Sequence, residues 1–199
     1  MKYGRSSCIV ISTLLGSCVS TSAHYYTLMS EPEHSAAATV AVPFRLEIDS
    51  IPAQVDRSEL VVRLPDGRMA IMDSERWIAP VADELQNALS VELLRRLAAI
   101  SPTEPTGSRS LTIRLNLERF ESSPYRYALV EASWHLALKS PARNVSVLCR
   151  SRAYEQVTGS YPDLVRGYQR AVAAVASEIA TVAQESMRGL PVECPGTHA

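Results

Sequence analysis

Residues 111 to 118, Leu111-Thr112-Ile113-Arg114-Leu115-Asn116-Leu117-Glu118, alternate an apolar residue with a polar one at every step. This alternation predicts a half-buried β-strand, because successive side chains of a strand point to opposite faces of its sheet. The same pattern returns in residues 130 to 138 and 145 to 157, after connections of only a few residues. Such short connections predict that the three strands are antiparallel neighbours.

Shorter segments upstream also have strand patterns. Residues 25 to 28 predict a first strand at a sheet edge, and residues 44 to 48 predict a half-buried strand. Residues 60 to 64 and 68 to 72 predict a hairpin around Pro65-Asp66-Gly67, where proline and glycine suit a tight turn.

Two amphipathic helices complete the pattern. The first begins at Pro80 and runs to about Ile100, with apolar residues every three or four positions. The second follows Ser160 as N-cap, with Asp163 three residues on as in a variant capping box, and ends before Gly189. We therefore predict a single compact domain of the α/β class, with α+β as the alternative. Its two long helices would pack on one mixed or antiparallel sheet.

The composition fits such a domain. The chain has 199 residues, of which 46% are hydrophobic and 21% charged, and its net charge is −1. These values are those of an ordinary globular protein. Only Lys2 and Lys139 are lysines, and there is no basic excess that would track nucleic-acid phosphates. We expect no nucleic-acid partner.

The N-terminus has the pattern of a bacterial lipoprotein signal. A short charged start precedes an apolar run, and the small residues of Leu15-Gly16-Ser17-Cys18 come directly before a cysteine. This order predicts a signal peptide over residues 1 to 17 and a lipid on the thiol of Cys18. The alternative is an ordinary secretory signal, or an uncleaved anchor, with an incidental cysteine. The apolar run is shorter than the about 20 residues that span a bilayer.

The position after Cys18 is Val19 and not aspartate, which favours the outer membrane and a domain that faces the periplasm. The mature chain then divides into three parts. We predict a lipidated tether with the first short strand over residues 18 to 43, the folded domain over 44 to 190, and a C-terminal tail over 191 to 199.

Cys149 and Cys194 are left as a pair once Cys8 leaves with the signal and Cys18 carries lipid. The periplasm permits disulfides, so a bridge would tie the tail to the third long strand. Alternatively, Cys149 is a buried thiol that continues the apolar row of this strand. Two thiols and scattered histidines predict no metal site, and we expect no cofactor besides the lipid on Cys18.

The sequence shows no pattern of a catalytic site. The nucleophile elbow, the phosphate loop and the dinucleotide glycine motif are absent, and the four histidines are widely separated. Glu92 and Arg96 have the i, i+4 spacing of an ordinary ion pair on a helix surface. We expect no enzymatic activity.

Three aromatic residues are candidates for a partner interface. Trp77 comes just before the first helix and either anchors this loop or faces a partner. Tyr125 and Tyr127 alternate at the start of a strand and form either an interaction patch or packing at a sheet edge. Trp134 belongs to an apolar strand row and is expected in the core.

Several of these segments together resemble the PqiC-like ABC-type transport auxiliary lipoproteins. They are the lipobox ending at Cys18, Tyr25-Tyr26-Thr27-Leu28, the run from Asp49-Ser50-Ile51-Pro52 through Leu60-Val61-Val62-Arg63, and Glu75-Arg76-Trp77-Ile78-Ala79-Pro80. The last of these is the most specific.

The resemblance implies a compact α/β domain in an outer-membrane lipoprotein that has no enzymatic activity of its own. It implies as partners an inner-membrane transporter and an MCE (mammalian cell entry) protein that spans the periplasm, in a system that moves lipids and maintains envelope integrity. It also implies assembly into homo-oligomeric rings. The Cys149 and Cys194 pair has no counterpart that we can match in this family.

Two other classes of function fit a small lipid-anchored domain. One is a lipoprotein scaffold or activator of cell-wall (peptidoglycan) enzymes, and the other is a periplasmic hydrolase. An MCE-type partner, a peptidoglycan synthase partner, or a cleft with perturbed titratable groups would distinguish the three.

Overall fold

The computed structural model describes residues 22–31, 43–97 and 109–196. Its elements are β1 (His24–Tyr26), β2 (Phe44–Ser50), β3 (Glu59–Arg63), β4 (Met69–Trp77), α1 (Val81–Leu97), β5 (Ser110–Ser123), β6 (Tyr127–Lys139), β7 (Asn144–Gln156) and α2 (Tyr161–Arg188). The predicted signal segment, Cys18 and the helix end near Ile100 lie outside the described residues. Neither α1 nor α2 combines the length and the apolar character that a bilayer crossing requires.

A four-stranded mixed sheet has the order β2, β5, β6, β7. The last three strands are antiparallel neighbours, as predicted, and β2 runs parallel to β5 at one edge. The inner face of this sheet carries buried apolar rows that include Ile113, Leu115 and Leu136. Trp134 is also buried there, as predicted, and its indole N–H donates to Ser151 Oγ at 2.8 Å. The polar atom of the indole is thereby satisfied inside the core.

A β-bulge changes which residues of β5 face the core. The register with β6 shifts between Leu117 and Arg119, and both Leu117 and Phe120 are buried. A one-residue slip moves all following side chains to the opposite face. The strand therefore continues past Glu118 to Ser123 with its alternation reversed.

A second mixed sheet has the order β1, β4, β3, so the single sheet that we predicted is in fact two. The predicted hairpin is formed by β3 and β4, and β1 is an edge strand that runs parallel to β4. β4 extends beyond the predicted end because its last residues pair with β1, His24 lying opposite Glu75 and Tyr26 opposite Trp77. The whole is an α+β domain, the alternative in our prediction.

The two helices pack differently from one another. α2 lies on the inner face of the four-stranded sheet, mainly against β6 and β7, whereas α1 packs mainly against α2 and reaches the sheet at β2. α2 approaches closely at Gly167, where a Cβ atom would lie 2.8 Å from Val157 Cγ2. The prediction that both helices pack on the sheet is therefore right for α2 and only marginally right for α1.

The two ends of α2 differ in their capping. Ser160 occupies the N-cap position, but its side chain makes no capping hydrogen bond. The predicted capping box is wrong because Asp163 pairs with Arg166 instead. At the other end Gly189 adopts the left-handed conformation, with a φ of 77°, and its backbone N–H donates to the last turn. The helix ends there as predicted.

Candidate functional site: the uncovered sheet face

Trp77 lies in the core. It is only 2% exposed, and its ring meets Phe120 and Tyr168 edge to face, at centroid distances of 6.0 Å and 5.8 Å. The rings of Phe120 and Tyr168 stack on each other at 4.1 Å. Trp77 is buried because it ends β4 instead of standing in a loop. The prediction that it contacts a partner is wrong, and its role is to anchor the start of α1 to the core.

Tyr125 lies in the turn between β5 and β6. It is 66% exposed and has a φ of 61°, a backbone conformation that is uncommon for a residue with a side chain. Its backbone N–H donates to the carbonyl of Gly159 at 3.2 Å. The turn is thus held against the residues that precede α2, and the ring of Tyr125 is presented to solvent.

Tyr127 is half-buried on the outer face of the four-stranded sheet, the face directed away from α2. Its ring stacks on Tyr154 of β7 with a centroid distance of 5.3 Å, and the Arg152 guanidinium carbon lies 5.9 Å from the centre of the Tyr154 ring. Leu129 pairs with Tyr154 in the ladder and is only 2% exposed, although it too points outward. The side chains of this region therefore close over Leu129 and form an ordered aromatic patch.

Glu121 connects this patch to the hairpin of the second sheet. Arg63 of β3 donates to both carboxylate oxygens of Glu121, at 2.9 Å and 2.7 Å, and the Tyr127 hydroxyl donates to the same carboxylate at 2.5 Å. The hydrogen bonds from Arg63 lower the pKa of Glu121 to about 2, against the opposing effect of partial burial. Burial, together with the bond to Glu121, raises the pKa of Tyr127. Glu121 is therefore a fixed anion that holds two elements together.

Further arginines cross the outer face. Arg119 and Arg152 donate to Glu131 at 3.3 Å and 2.8 Å, and Arg150 donates to Glu118 at 3.1 Å. Surface pairs of this kind each stabilise the fold by about 1 kcal/mol or less. Their effect is to give the face a defined arrangement of arginines with little net charge.

The outer face is the candidate docking surface because, in the described part of the chain, both helices lie on the other side of the sheet. Leu148 and Tyr154 of β7 are 70% and 51% exposed. Exposed aromatic and aliphatic side chains among arginines are typical of protein interfaces. Among the predicted residues, only Tyr127 belongs to this surface. The other residues of this surface were missed in the sequence analysis. The pattern that could have indicated them is the row of alternate, outward-facing residues in the third long strand: Leu148, Arg150, Arg152 and Tyr154.

Cys149 and Cys194 form a disulfide in the structure, with Cα atoms 5.3 Å apart. Cys149 is buried on the inner face of β7, opposite the row of the docking surface. The bridge holds the tail beside the sheet, where Val192 packs against the core. The disulfide thus ties the tail to the middle of β7, on the face opposite the candidate site.

Two buried glutamates of α1 fix the segment by which the chain enters the domain. Glu84 accepts hydrogen bonds at 2.7 Å from the Thr27 hydroxyl and from the next backbone N–H. Glu92 accepts from the Ser30 hydroxyl at 2.9 Å and pairs with Arg96 at 3.3 Å. The predicted i, i+4 pair of Glu92 with Arg96 is therefore confirmed, but its position on the helix surface is wrong, because Glu92 is only 4% exposed. It is buried because the entering chain passes over it.

A cleft of about 290 Å³ lies between this segment and α2. Its walls carry charges of both signs, so it selects neither anions nor cations by charge alone. The residues around it include Glu31, Glu92, Arg95, Arg166 and Arg170. Over residues 22–31, 43–97 and 109–196, no group of three or more His, Cys, Asp or Glu side chains is placed to hold a metal ion.

These features define an α+β domain with an entering segment fixed on buried glutamates and one ordered sheet face left uncovered. Residues 26–180 match the family described as the ABC-type transport auxiliary lipoprotein component. The chain belongs to this family, and the resemblance seen in the sequence is confirmed.

Two solved structures share the fold. The first is the crystal structure of an uncharacterized protein, which matches this chain with a TM-score of 0.58 and 18% sequence identity. The match covers 80% of this chain and 97% of the other. A protein from Xanthomonas campestris has a TM-score of 0.51 and 16% identity, with 83% and 99% covered. At these identities the likeness concerns the fold alone. No curated protein matches the sequence.

Proposed function

We propose that this protein is the auxiliary, non-catalytic component of an ABC-type system that contains an MCE protein and moves lipids between the two membranes. In this proposal a lipid on Cys18 anchors the domain in the outer membrane, so that the domain faces the periplasm and helps to maintain envelope integrity. Membership of the transport auxiliary lipoprotein family supports the transport role and the membrane anchor. Two or more acyl chains hold a protein stably on a bilayer.

The observation that carries the proposal is the uncovered, ordered sheet face on a domain of this family. A component without chemistry of its own acts through what it binds. Leu148, Tyr154 and Tyr127 supply apolar and aromatic contact area, and the arginines beside them are already oriented by their glutamate partners. Groups ordered in advance lose less conformational entropy when a partner binds. We infer that this face receives the periplasm-spanning MCE protein, and that neighbouring copies in a ring pack beside it.

The pairing of the charged groups supports the absence of catalysis. Glu121 is held by Arg63 and Tyr127, and Glu131 by Arg119 and Arg152. A general acid or base needs a pKa near the working pH and access to a substrate proton. Glu121, with a pKa of about 2, is a poor proton acceptor at neutral pH.

The test is affinity isolation of the tagged full-length protein from membranes in mild detergent, followed by identification of the proteins that co-purify. Leu148→Asp places a charge in the docking row, and Leu190→Asp is the matched control, because Leu190 is also exposed (52%) but lies beyond the C-terminus of α2. Cys18→Ala removes the proposed anchor.

We expect an MCE-domain protein with the wild type and with Leu190→Asp, and much less of it with Leu148→Asp and Cys18→Ala. Recovery of cell-wall enzymes alone would favour the scaffold or activator function instead. Equal recovery with Leu148→Asp would remove the outer sheet face from the proposal.

A further inference from the structure

We propose that one end of the domain contacts the surface of the phospholipid bilayer directly, in addition to the lipid on Cys18. We name this region the tether end and define it by four segments on one side of the domain. They are the start of β1 at His24, the β3–β4 turn (residues 64–68), the β5–β6 turn (residues 124–126) and the first turn of α2 at Tyr161. The inference rests on the lipidation of Cys18 in the proposed function.

Hydrogen bonds bring β1, β4 and α2 together at the tether end. Glu75 of β4 accepts from His24 Nδ1 at 2.9 Å and from the Tyr26 hydroxyl at 2.6 Å. The hydroxyl of Tyr161, at the start of α2, lies 2.8 Å from Met72 Sδ of β4. The point at which the chain enters the fold is therefore adjacent to the N-terminus of the long helix.

The two turns are linked to β5 and to the residues before α2. Tyr125 bonds to the backbone of Gly159, just before α2. Arg63 donates both to the Gly67 carbonyl in the β3–β4 turn, at 3.1 Å, and to Glu121 near the end of β5. These contacts link the hairpin, the β5–β6 turn and α2 on one side of the domain. β1 starts on the same side, with His24 opposite Glu75, six residues along β4 from Met69.

The length of the tether limits how far this surface is from the membrane. Residues 19 to 23 alone separate Cys18 from His24. A fully extended chain spans at most about 3.5 Å per residue, so His24 lies within about 20 Å of the lipidated residue. The tether thus keeps His24 close to the bilayer, whereas the C-terminus of α2 is about 40 Å from Tyr161 along the helix axis.

The exposed side chains of the tether end fit a phospholipid surface. Tyr25 is 64% exposed, Tyr125 66% and Met69, the first residue of β4, 45%. Arg126 is also exposed, as is Arg68, which pairs with Asp66 of the same turn at 2.7 Å. Tyrosine concentrates where apolar chains meet hydrated headgroups, because it has an apolar ring and a polar hydroxyl. Arginine binds phosphate through several N–H groups.

The distribution of tyrosines is also one-sided. Tyr25, Tyr26, Tyr125, Tyr127 and Tyr161 lie at or beside the tether end. Tyr154 stacks on one of these, and the remaining described tyrosine, Tyr168, is in the core. The opposite end of the four-stranded sheet, at the β6–β7 turn and the start of β2, carries no tyrosine among the described residues, and Phe44 there is partly buried against the core. An aromatic cluster on the side that the lipid holds near the membrane favours the bilayer as its occupant.

The experiment uses the purified full-length protein in vesicles of phosphatidylethanolamine and phosphatidylglycerol. A photoreactive benzoylphenylalanine is placed at Tyr125 or at Met69, and at Leu190 as the matched control, since all three positions are exposed. After irradiation, mass spectrometry measures phospholipid adducts at each position. The N-terminal peptide of the same samples shows whether Cys18 carries lipid.

We expect adduct yields at Tyr125 and Met69 at least about tenfold above the yield at Leu190, because Leu190 is about 40 Å from the tether end along α2. Equal yields at the three positions, or crosslinks to protein in place of lipid, would overturn the inference even if Cys18 is lipidated. An unmodified Cys18 would instead overturn the proposed anchor, and the adducts would still report whether the tether end contacts phospholipid.

Discussion

Trp77, Phe120 and Tyr168 form one aromatic cluster where β4, β5 and α2 meet. Truncating Trp77 would leave a cavity among rigid neighbours, which typically costs about 3–5 kcal/mol for a buried aromatic residue. We therefore expect Trp77→Ala to lower the free energy of unfolding by this amount, as measured by denaturant titration. Leu148→Ala, at a position 70% exposed, should change it little. Equal midpoints for the two variants would contradict the assignment of Trp77 to the core.

Glu121 makes the stability of the fold depend on pH in the acid range. Its pKa in the folded state is about 2, below the reference value of 4.5. A depressed pKa contributes stability that is complete above the unfolded-state value and is lost as the pH falls towards the folded-state value. We expect this contribution to be about 2 kcal/mol after allowance for solvent screening of the partly exposed Arg63. It should disappear between about pH 5 and pH 2.

The measurement compares the wild type with Glu121→Gln across this range, so that the effects of the other carboxylates cancel. Glu121→Gln should be less stable at pH 7, and the difference should shrink as the pH falls. Tyr127→Phe keeps the stacked ring but removes one donor to the carboxylate, so it should show part of the same effect. A difference that is constant from pH 7 to pH 2 would refute the ionic role of Glu121.

Among the elements, the sequence correctly predicted the strands and helices that have a regular spacing of apolar residues. The alternation that begins at Leu111 and the three- to four-residue spacing of the helices both reappear in the structure. Periodicity failed at the bulge near Glu118, because an extra residue reverses the alternation without any glycine or proline to mark it. Periodicity also failed to predict that Trp77 belongs to a strand. β4 extends to Trp77 because it pairs with β1, which is remote in sequence.

The disulfide is the covalent link between the tail and β7. Cys149 and Cys194 are 45 residues apart in sequence, and the loop-entropy model gives about 4 kcal/mol for closing a loop of this size in the unfolded chain. We expect reduction to lower the free energy of unfolding by up to this amount. The matched control is the double variant Cys149→Ala/Cys194→Ala, whose stability should not respond to the reductant. A wild type that is equally insensitive would show that the bridge contributes nothing.

For the domain as a whole, contacts between segments distant in sequence determine the surroundings of residues that the sequence alone could not place. Tyr127 was a candidate from its position alone, but its stack on Tyr154 and its bond to Glu121 depend on strand register. Glu92 has ordinary helix-surface spacing, yet the entering chain buries it through Ser30. The spacing of apolar residues in the sequence predicts which face of a helix or strand is apolar. It does not report which remote segment will cover that face, and for this reason one predicted sheet became two.

The orientation of the domain at the membrane should depend on the shortness of the tether. Only residues 19 to 23 separate Cys18 from β1, which keeps the tether end at a high effective concentration near the bilayer. Inserting about 20 glycine and serine residues after Val19 would let the domain move by roughly 25 Å, the root-mean-square span of such a linker. Effective concentration falls steeply with linker length.

We therefore expect the lengthened protein to keep its lipid on Cys18 while phospholipid adducts at Tyr125 fall several-fold. They should still exceed those at Leu190, because the exposed tyrosines and arginines of the tether end retain their own attraction for headgroups. The same insertion after Gly196 controls for added disorder and should leave the adducts unchanged. Adduct yields at Tyr125 that do not respond to tether length would mean that contacts elsewhere on the domain, and not its short attachment to Cys18, set its orientation.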